Sequence, residues 1–171
     1  MHRTEIDFES VEYVLDNLRE EDKIECINSR GINYKDSILN DLKNTKNKFL
    51  LAKTKKDNIP VLIAGAWAKD NVNTSVGIVW LLSTKEIEKH QISFLKEMKK
   101  EIEEYDKEFA ILFNEIYKSN HLAKKWLKWV GFRFPKSETK KTFLDKAFLS
   151  IETEKDFEIF YRERKVKGLG E

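Results

Sequence analysis

Hydrophobic residues recur with helical spacing over the first 44 positions, and after Phe49 they gather into short unbroken blocks. HRTEI at the start predicts a short strand. Asp7 then predicts an N-cap for a helix with the stripe Val11, Val14, Leu15 and Leu18. Glu20–Arg30 predicts a second helix with Ile24 and Ile27 inward, stopped by Gly31. Tyr34–Asn44 predicts a third through Ile38, Leu39 and Leu42. The blocks FLLAKT and VLIAGAWA predict two strands around a turn at Asp57, Asn58 and Pro60, and VGIVWLL a third. These runs do not alternate, which predicts an antiparallel meander buried on both faces.

Helical spacing returns after Ser83. Ser83 and Glu86 have capping-box spacing, and Ile87, Gln91, Phe94, Leu95, Met98, Ile102 and Tyr105 form the stripe of a long helix. FAILFNEIY predicts a strand. In SNHLAKKWLKWVGFRF the pairs Leu122/Ala123, Trp126/Leu127 and Trp129/Val130 predict one buried helical face. Gly131 ends that helix and FRF resumes as strand. KAFLSIE and FEIFYRE predict two final strands. The order is that of an α+β domain, a central mixed, mostly antiparallel twisted sheet with helices on both faces. It spans residues 1–171 as one domain: an N-terminal strand and helices (1–48), a core (49–134) and C-terminal strands (135–171).

Composition narrows the function classes. The 171 residues are 40% apolar and 36% charged, which fits a globular chain rather than a disordered one. Lys and Arg total 32 against 30 acidic residues, a net charge of +2. That near-balance gives no global attraction to nucleic acid or an anionic membrane, so binding to either requires a local patch. Cys26 is the only cysteine, so no intrachain disulfide forms. His2, His90 and His121 match no metal-ligand spacing. No apolar run approaches the roughly 20 residues that span a bilayer, and MHRTEIDFES carries no signal-peptide core. These features predict a cytoplasmic protein that needs no metal.

The segment from Ser119 also carries a resemblance. Asn120 after the fifth core strand, Ala123, and Gly131-Phe132 at the end of the following helix stand at the spacing of the GNAT superfamily of N-acetyltransferases. The element order from about Phe49 to Phe134 is similar as well. The strings WLLSTKEIEKHQISFL from Trp80 and NEIYKSNHLAKKWLKWVGF from Asn114 further resemble GNAT-like internal virion or virion-assembly proteins of tailed phages.

The resemblance implies a GNAT-like, acyl-CoA N-acyltransferase fold. In it an amine of a small molecule or protein attacks an acyl thioester held between VGIVWLL and FAILFNEIY, with acetyl-CoA as the cofactor. It implies that Leu81 and Leu82 pair with the pantetheine arm through their backbone, that Ser83, Thr84 and Lys85 face the pyrophosphate, and that Asn120 contacts the pantetheine. The phage resemblance implies a phage or host protein as partner, and residence in the host cytoplasm or a virion. Two departures stand out. STKEIEKHQISF contains no glycine where the family has a glycine-rich phosphate loop, and Leu127 occupies the place of a tyrosine proton donor. Both predict weak or lost activity, and a non-catalytic, partner-binding use of the fold is the alternative.

Each candidate has a plainer reading. Asn120 is either a helix N-cap or a cofactor contact. Glu115 is either a base acting through water or a strand-end carboxylate facing solvent. Tyr117 and His121 are candidate proton donors, and His121 is otherwise an exposed neighbour of lysines. Trp126, Trp129, Trp67 and Trp80 read as core. RERKVK, from Arg162, reads as a solvated basic end.

Overall fold

The computed structural model describes residues 1–44, 49–69, 74–136, 138 and 156–164. Six strands form one sheet in the order β1-β2-β3-β4-β5-β6: His2–Thr4, Phe49–Lys53, Pro60–Ala68, Val76–Ser83, Ile111–Tyr117 and Phe157–Glu163. β1–β2, β2–β3 and β5–β6 run antiparallel and β4–β5 parallel, so the α+β class and mixed sheet are as expected. Two compact units divide the chain, Met1–Ala66 with Val79–Glu97 and Trp67–Ile78 with Met98–Glu171.

In the first unit, helices α1 (Phe8–Asp16), α2 (Glu20–Arg30) and α3 (Tyr34–Asn44) lie where the periodicity places them. Val11, Val14, Leu15, Ile38 and Leu42 join Phe49, Leu51 and Ile63 in one buried cluster. Two details differ. Leu18 lies beyond α1, where its backbone bridges Thr84. α2 buries Asp22 and Cys26 more deeply than Ile24 and Ile27. Burial pushes the Cys26 thiol up to about 12, so it remains an apolar filler rather than a thiolate. The turn between β2 and β3 places Asn58 at φ 55, and Thr54 closes it with a reciprocal pair of bonds to Ile59.

Asp7 caps α1 as expected. Its Oδ1 accepts the Ser10 N–H at 2.7 Å, and Lys53 donates to Oδ2 at 3.0 Å. Hydrogen bonds from Ser10, and then from Lys53, hold its carboxyl at about 2. The folded carboxylate binds its proton less tightly than the unfolded one, so its contribution is complete above about pH 4 and fades as pH falls toward about 2. Asp7→Ala should cost about 1 kcal/mol at neutral pH. Urea melts across pH would show the two proteins converging in acid; a constant gap would exclude the carboxylate as its source.

The segment after β4 corrects the capping box. Ser83 is the last residue of β4, and Thr84 is the cap, accepting the Glu86 N–H at 3.3 Å. A 3-10 helix, Lys85–His90, precedes α4, Gln91–Glu108. Ile87, Phe94, Met98, Ile102 and Tyr105 are buried as expected, whereas Gln91 is exposed and Leu95 half-buried.

In the second unit, β4 pairs with β5 from Val76↔Ile111 to Ile78↔Phe113, and β5 pairs with β6 along its whole length. Val76, Phe113, Ile159 and Tyr161 form a second buried cluster. Gly77 lets the Phe109 ring lie against the strand, since a Cβ there would stand 2.7 Å from the ring. Helix α5, His121–Trp129, starts and stops as expected, but its buried face is Trp126 with half-buried Leu122, Ala123 and Leu127. Trp129 is 53% exposed, contrary to the core reading. FRF forms one backbone bridge, Arg133 to Tyr161, rather than a strand. Arg162 is not a solvated basic residue. It donates to Asp106 through Nε and Nη2, the latter at 2.7 Å, and to the Val130 carbonyl at 2.8 Å. KAFLSIE and the chain from Lys165 lie outside the described residues.

Candidate functional site

The residues that close β4 form a buried polar cluster in the first unit. Arg19 precedes α2 and Asp22 stands three residues later in its first turn, so both can reach β4 from one helix end. Arg19 is 2% exposed, Asp22 3% and Ser83 0%. The Ser83 N–H donates to Asp22 Oδ2 at 2.9 Å and its hydroxyl to the same oxygen at 2.8 Å. Arg19 Nη2 donates to Asp22 Oδ1 at 2.7 Å, while the Arg19 N–H donates to the Ser83 carbonyl at 2.9 Å. Burial opposes the charge on Arg19, but Asp22 beside it more than offsets this, and the guanidinium holds its proton more tightly than usual.

The backbone beyond Ser83 is similarly committed. The Thr84 N–H donates to the Val61 carbonyl at 2.9 Å, the Glu86 N–H to Thr84 Oγ1, and the Ile87 N–H to the Thr84 carbonyl at 3.2 Å. Lys85 is exposed, and half-buried Glu86 pairs with Lys89 at 2.6 Å. Leu81 and Leu82 are half-buried, with Leu82 packed against the first core cluster.

The remaining candidates lie in the second unit. Ile111, Phe113, Glu115 and Tyr117 alternate along β5 and therefore share a face, apolar at its start and polar at its end. Glu115 and Tyr117 are both half-buried, and the Tyr117 ring lies 5.7 Å from Phe157. Asn120 is 2% exposed; its Oδ1 accepts the Ala123 N–H at 3.3 Å and its own N–H donates to the Tyr117 carbonyl at 2.9 Å. It is thus an N-cap, which is also how the strand's end is tied to α5. His121 is exposed at the helix start, and Leu127 presents only hydrocarbon at the position where the resemblance implies a tyrosine proton donor. Among the described residues no group of His, Cys, Asp or Glu could hold a metal ion, and no helix is long and apolar enough to cross a membrane.

No protein-family model and no curated protein sequence matches the chain. Solved structures do. A GNAT-family acetyltransferase from Bacillus anthracis superposes with a TM-score of 0.63 at 10% identity, covering 96% of this chain and 95% of its own. A ribosomal-protein-alanine N-acetyltransferase from Brucella melitensis gives 0.63 at 11% identity over 95% and 99%. A GNAT-family acetyltransferase from Staphylococcus aureus gives 0.60 at 16% identity over 96% and 99%. The chain has the GNAT fold.

Within the GNAT fold the sequence located Asn120 and the end of β4, but not Arg19 or Asp22. Those two sit in LREEDKIE, where the dense charge reads as a helix-friendly, charged segment. Nothing in that string distinguishes the one acid that turns inward.

Proposed function

We propose that this chain is a GNAT-type protein in which acetyl-CoA-dependent transfer of an acyl group to an amine is weak or lost. The observation that carries this reading is the state of the N–H groups after β4. A pyrophosphate needs converging, unpaired N–H groups at a helix start. Here those of Ser83, Thr84, Glu86 and Ile87 are bound to Asp22, Val61 and Thr84. Glu86 and exposed Glu88 add negative charge to the same turn. The residues present therefore do not fit the phosphate end of the cofactor.

Two features support retaining a GNAT-type reaction class at all. One is the fold, which is an argument by analogy. The other is the parallel β4–β5 pairing, Val76↔Ile111 to Ile78↔Phe113, beside a β5 whose end carries Glu115 and Tyr117 on one face. The acceptor in that class is an amine of a small molecule or protein. Glu115 would take its proton, and Tyr117 or His121 would supply one.

Calorimetric titration with acetyl-CoA and with coenzyme A tests the reading. Heats too small to fit are expected at micromolar protein, and a micromolar dissociation constant would overturn it. The committed amides also favour a non-catalytic use of the fold, and the resemblance of the strings from Trp80 and Asn114 supports a second reading, a phage virion-assembly protein that binds a phage or host protein. Peptides of this chain in purified virions would support it, and their absence would count against it.

A further inference from the structure

From Ile116 to Ser137 the chain carries Lys118, Lys124, Lys125, Lys128, Arg133 and Lys136 and no acidic residue, whereas the whole chain is nearly balanced at 32 basic to 30 acidic. The structure sorts these charges. His121, Lys125, Lys128 and Trp129 are all exposed and fall at i, i+4, i+7 and i+8 of α5. At about 100° per residue they form one stripe roughly 100° wide and about 12 Å long. Exposed Arg133 and Lys136 continue past the helix.

The neighbouring charges do not neutralise that stripe. Lys124 turns aside to pair with Glu158, and the ammoniums of Lys124 and Lys128 lie 5.7 and 5.5 Å from the Phe134 ring centroid. α4 shows the opposite arrangement. Its exposed charges are mixed, Lys96, Lys99, Lys100 and Lys107 against Glu103, Glu104 and Glu108, with Lys107 paired to Glu104, so its outer face carries both signs.

Trp129 is the one exposed tryptophan of the four. An indole left in water beside lysines can present its face to another π-system. Lysine-rich surfaces are depleted at protein–protein interfaces, where arginine is the enriched cation. A basic track with an interleaved aromatic is instead the pattern that holds single-stranded nucleic acid, by phosphate neutralisation and base stacking.

We propose that the outer face of α5 is a binding surface for single-stranded nucleic acid. Trp129 stacks on a base, and Lys125 and Lys128 meet the flanking phosphates. This surface does not depend on whether the chain binds acetyl-CoA.

The test is fluorescence anisotropy of the intact protein with a labelled oligothymidylate of about twelve nucleotides, read together with tryptophan quenching. Binding should weaken with salt, log K falling with log salt at a slope of about −2 for roughly three phosphates. Trp129→Ala should weaken binding about tenfold and remove most of the quenching. Lys125→Glu with Lys128→Glu should abolish binding, and Lys99→Glu on α4 should leave it unchanged. All four side chains are exposed, and unchanged circular dichroism would confirm intact folds. No binding at low ionic strength, or binding indifferent to Trp129→Ala, overturns the proposal. So does equal competition by polyglutamate, which would mark a surface for acidic proteins. Competition by coenzyme A at matched phosphate overturns it in favour of a mononucleotide contact.

Discussion

Replacing Asp22 by alanine should destabilise the protein by about 3–5 kcal/mol, a fall in melting temperature on the order of 10 °C for a chain of this size. The carboxylate is 3% exposed and serves three donors: the Arg19 guanidinium, the Ser83 N–H and the Ser83 hydroxyl. Removing it takes the hydrogen-bonded carboxylate from a guanidinium that is only 2% exposed, and that acceptor from two donors at the end of β4. Deleting one member of a buried pair costs more than replacing both with apolar groups. Arg19→Met combined with Asp22→Leu should therefore be more stable than Asp22→Ala alone. Denaturant melts of the three proteins decide the matter. A loss below about 1 kcal/mol for Asp22→Ala, or a double variant no better than the single, would show that the cluster is not what fastens α2 to β4.

Gly131→Ala should cost about 2–3 kcal/mol, from backbone strain and a displaced side chain together. Gly131 sits at φ +96, and a Cβ there would stand 2.3 Å from Arg162 Nη1. A long side chain usually moves aside cheaply. Here the guanidinium is held by Asp106 and by the Val130 carbonyl, so moving it breaks those bonds. Gly31 supplies the control, because its φ is +79 and a Cβ there meets nothing within 4 Å. Its ψ of −174 lies in a region nearly closed to side chains, so Gly31→Ala should show backbone strain without a clash, about 1–3 kcal/mol. A structure of Gly131→Ala in which Arg162 keeps its bonds to Asp106 and the Val130 carbonyl would remove the steric account of Gly131.

The repeating elements were legible because their patterns are local. Asp7, Gly31, Asn120 and Gly131 mark helix ends through chemistry that acts over three or four residues, and each stands where it was read. The errors arose where a tertiary partner competed with a local rule. Ser83 has capping-box spacing to Glu86, yet a buried carboxylate 61 residues away claims its hydroxyl. Arg162 reads as part of a basic tail, yet its partner Asp106 is 56 residues distant. Trp129 reads as core from its spacing to Trp126, although its angular position on α5 is shared with His121, Lys125 and Lys128. The candidate site was legible in the same measure. Asn120 and the β4 terminus could be located from spacing, whereas the groups that occupy the β4 amides could not.

The two compact units are each built from separated stretches of sequence, and the chain passes between them within β3, β4 and α4. No single peptide bond divides it into independently foldable halves. During synthesis the first unit lacks its closing segment until residue 97 has left the ribosome, although its first three helices are complete by residue 44. The apolar strand Pro60–Ala68 must therefore wait for β4 before its second neighbour exists. That interval, with strand edges still open, is when a nascent chain of this design is most exposed to mispairing.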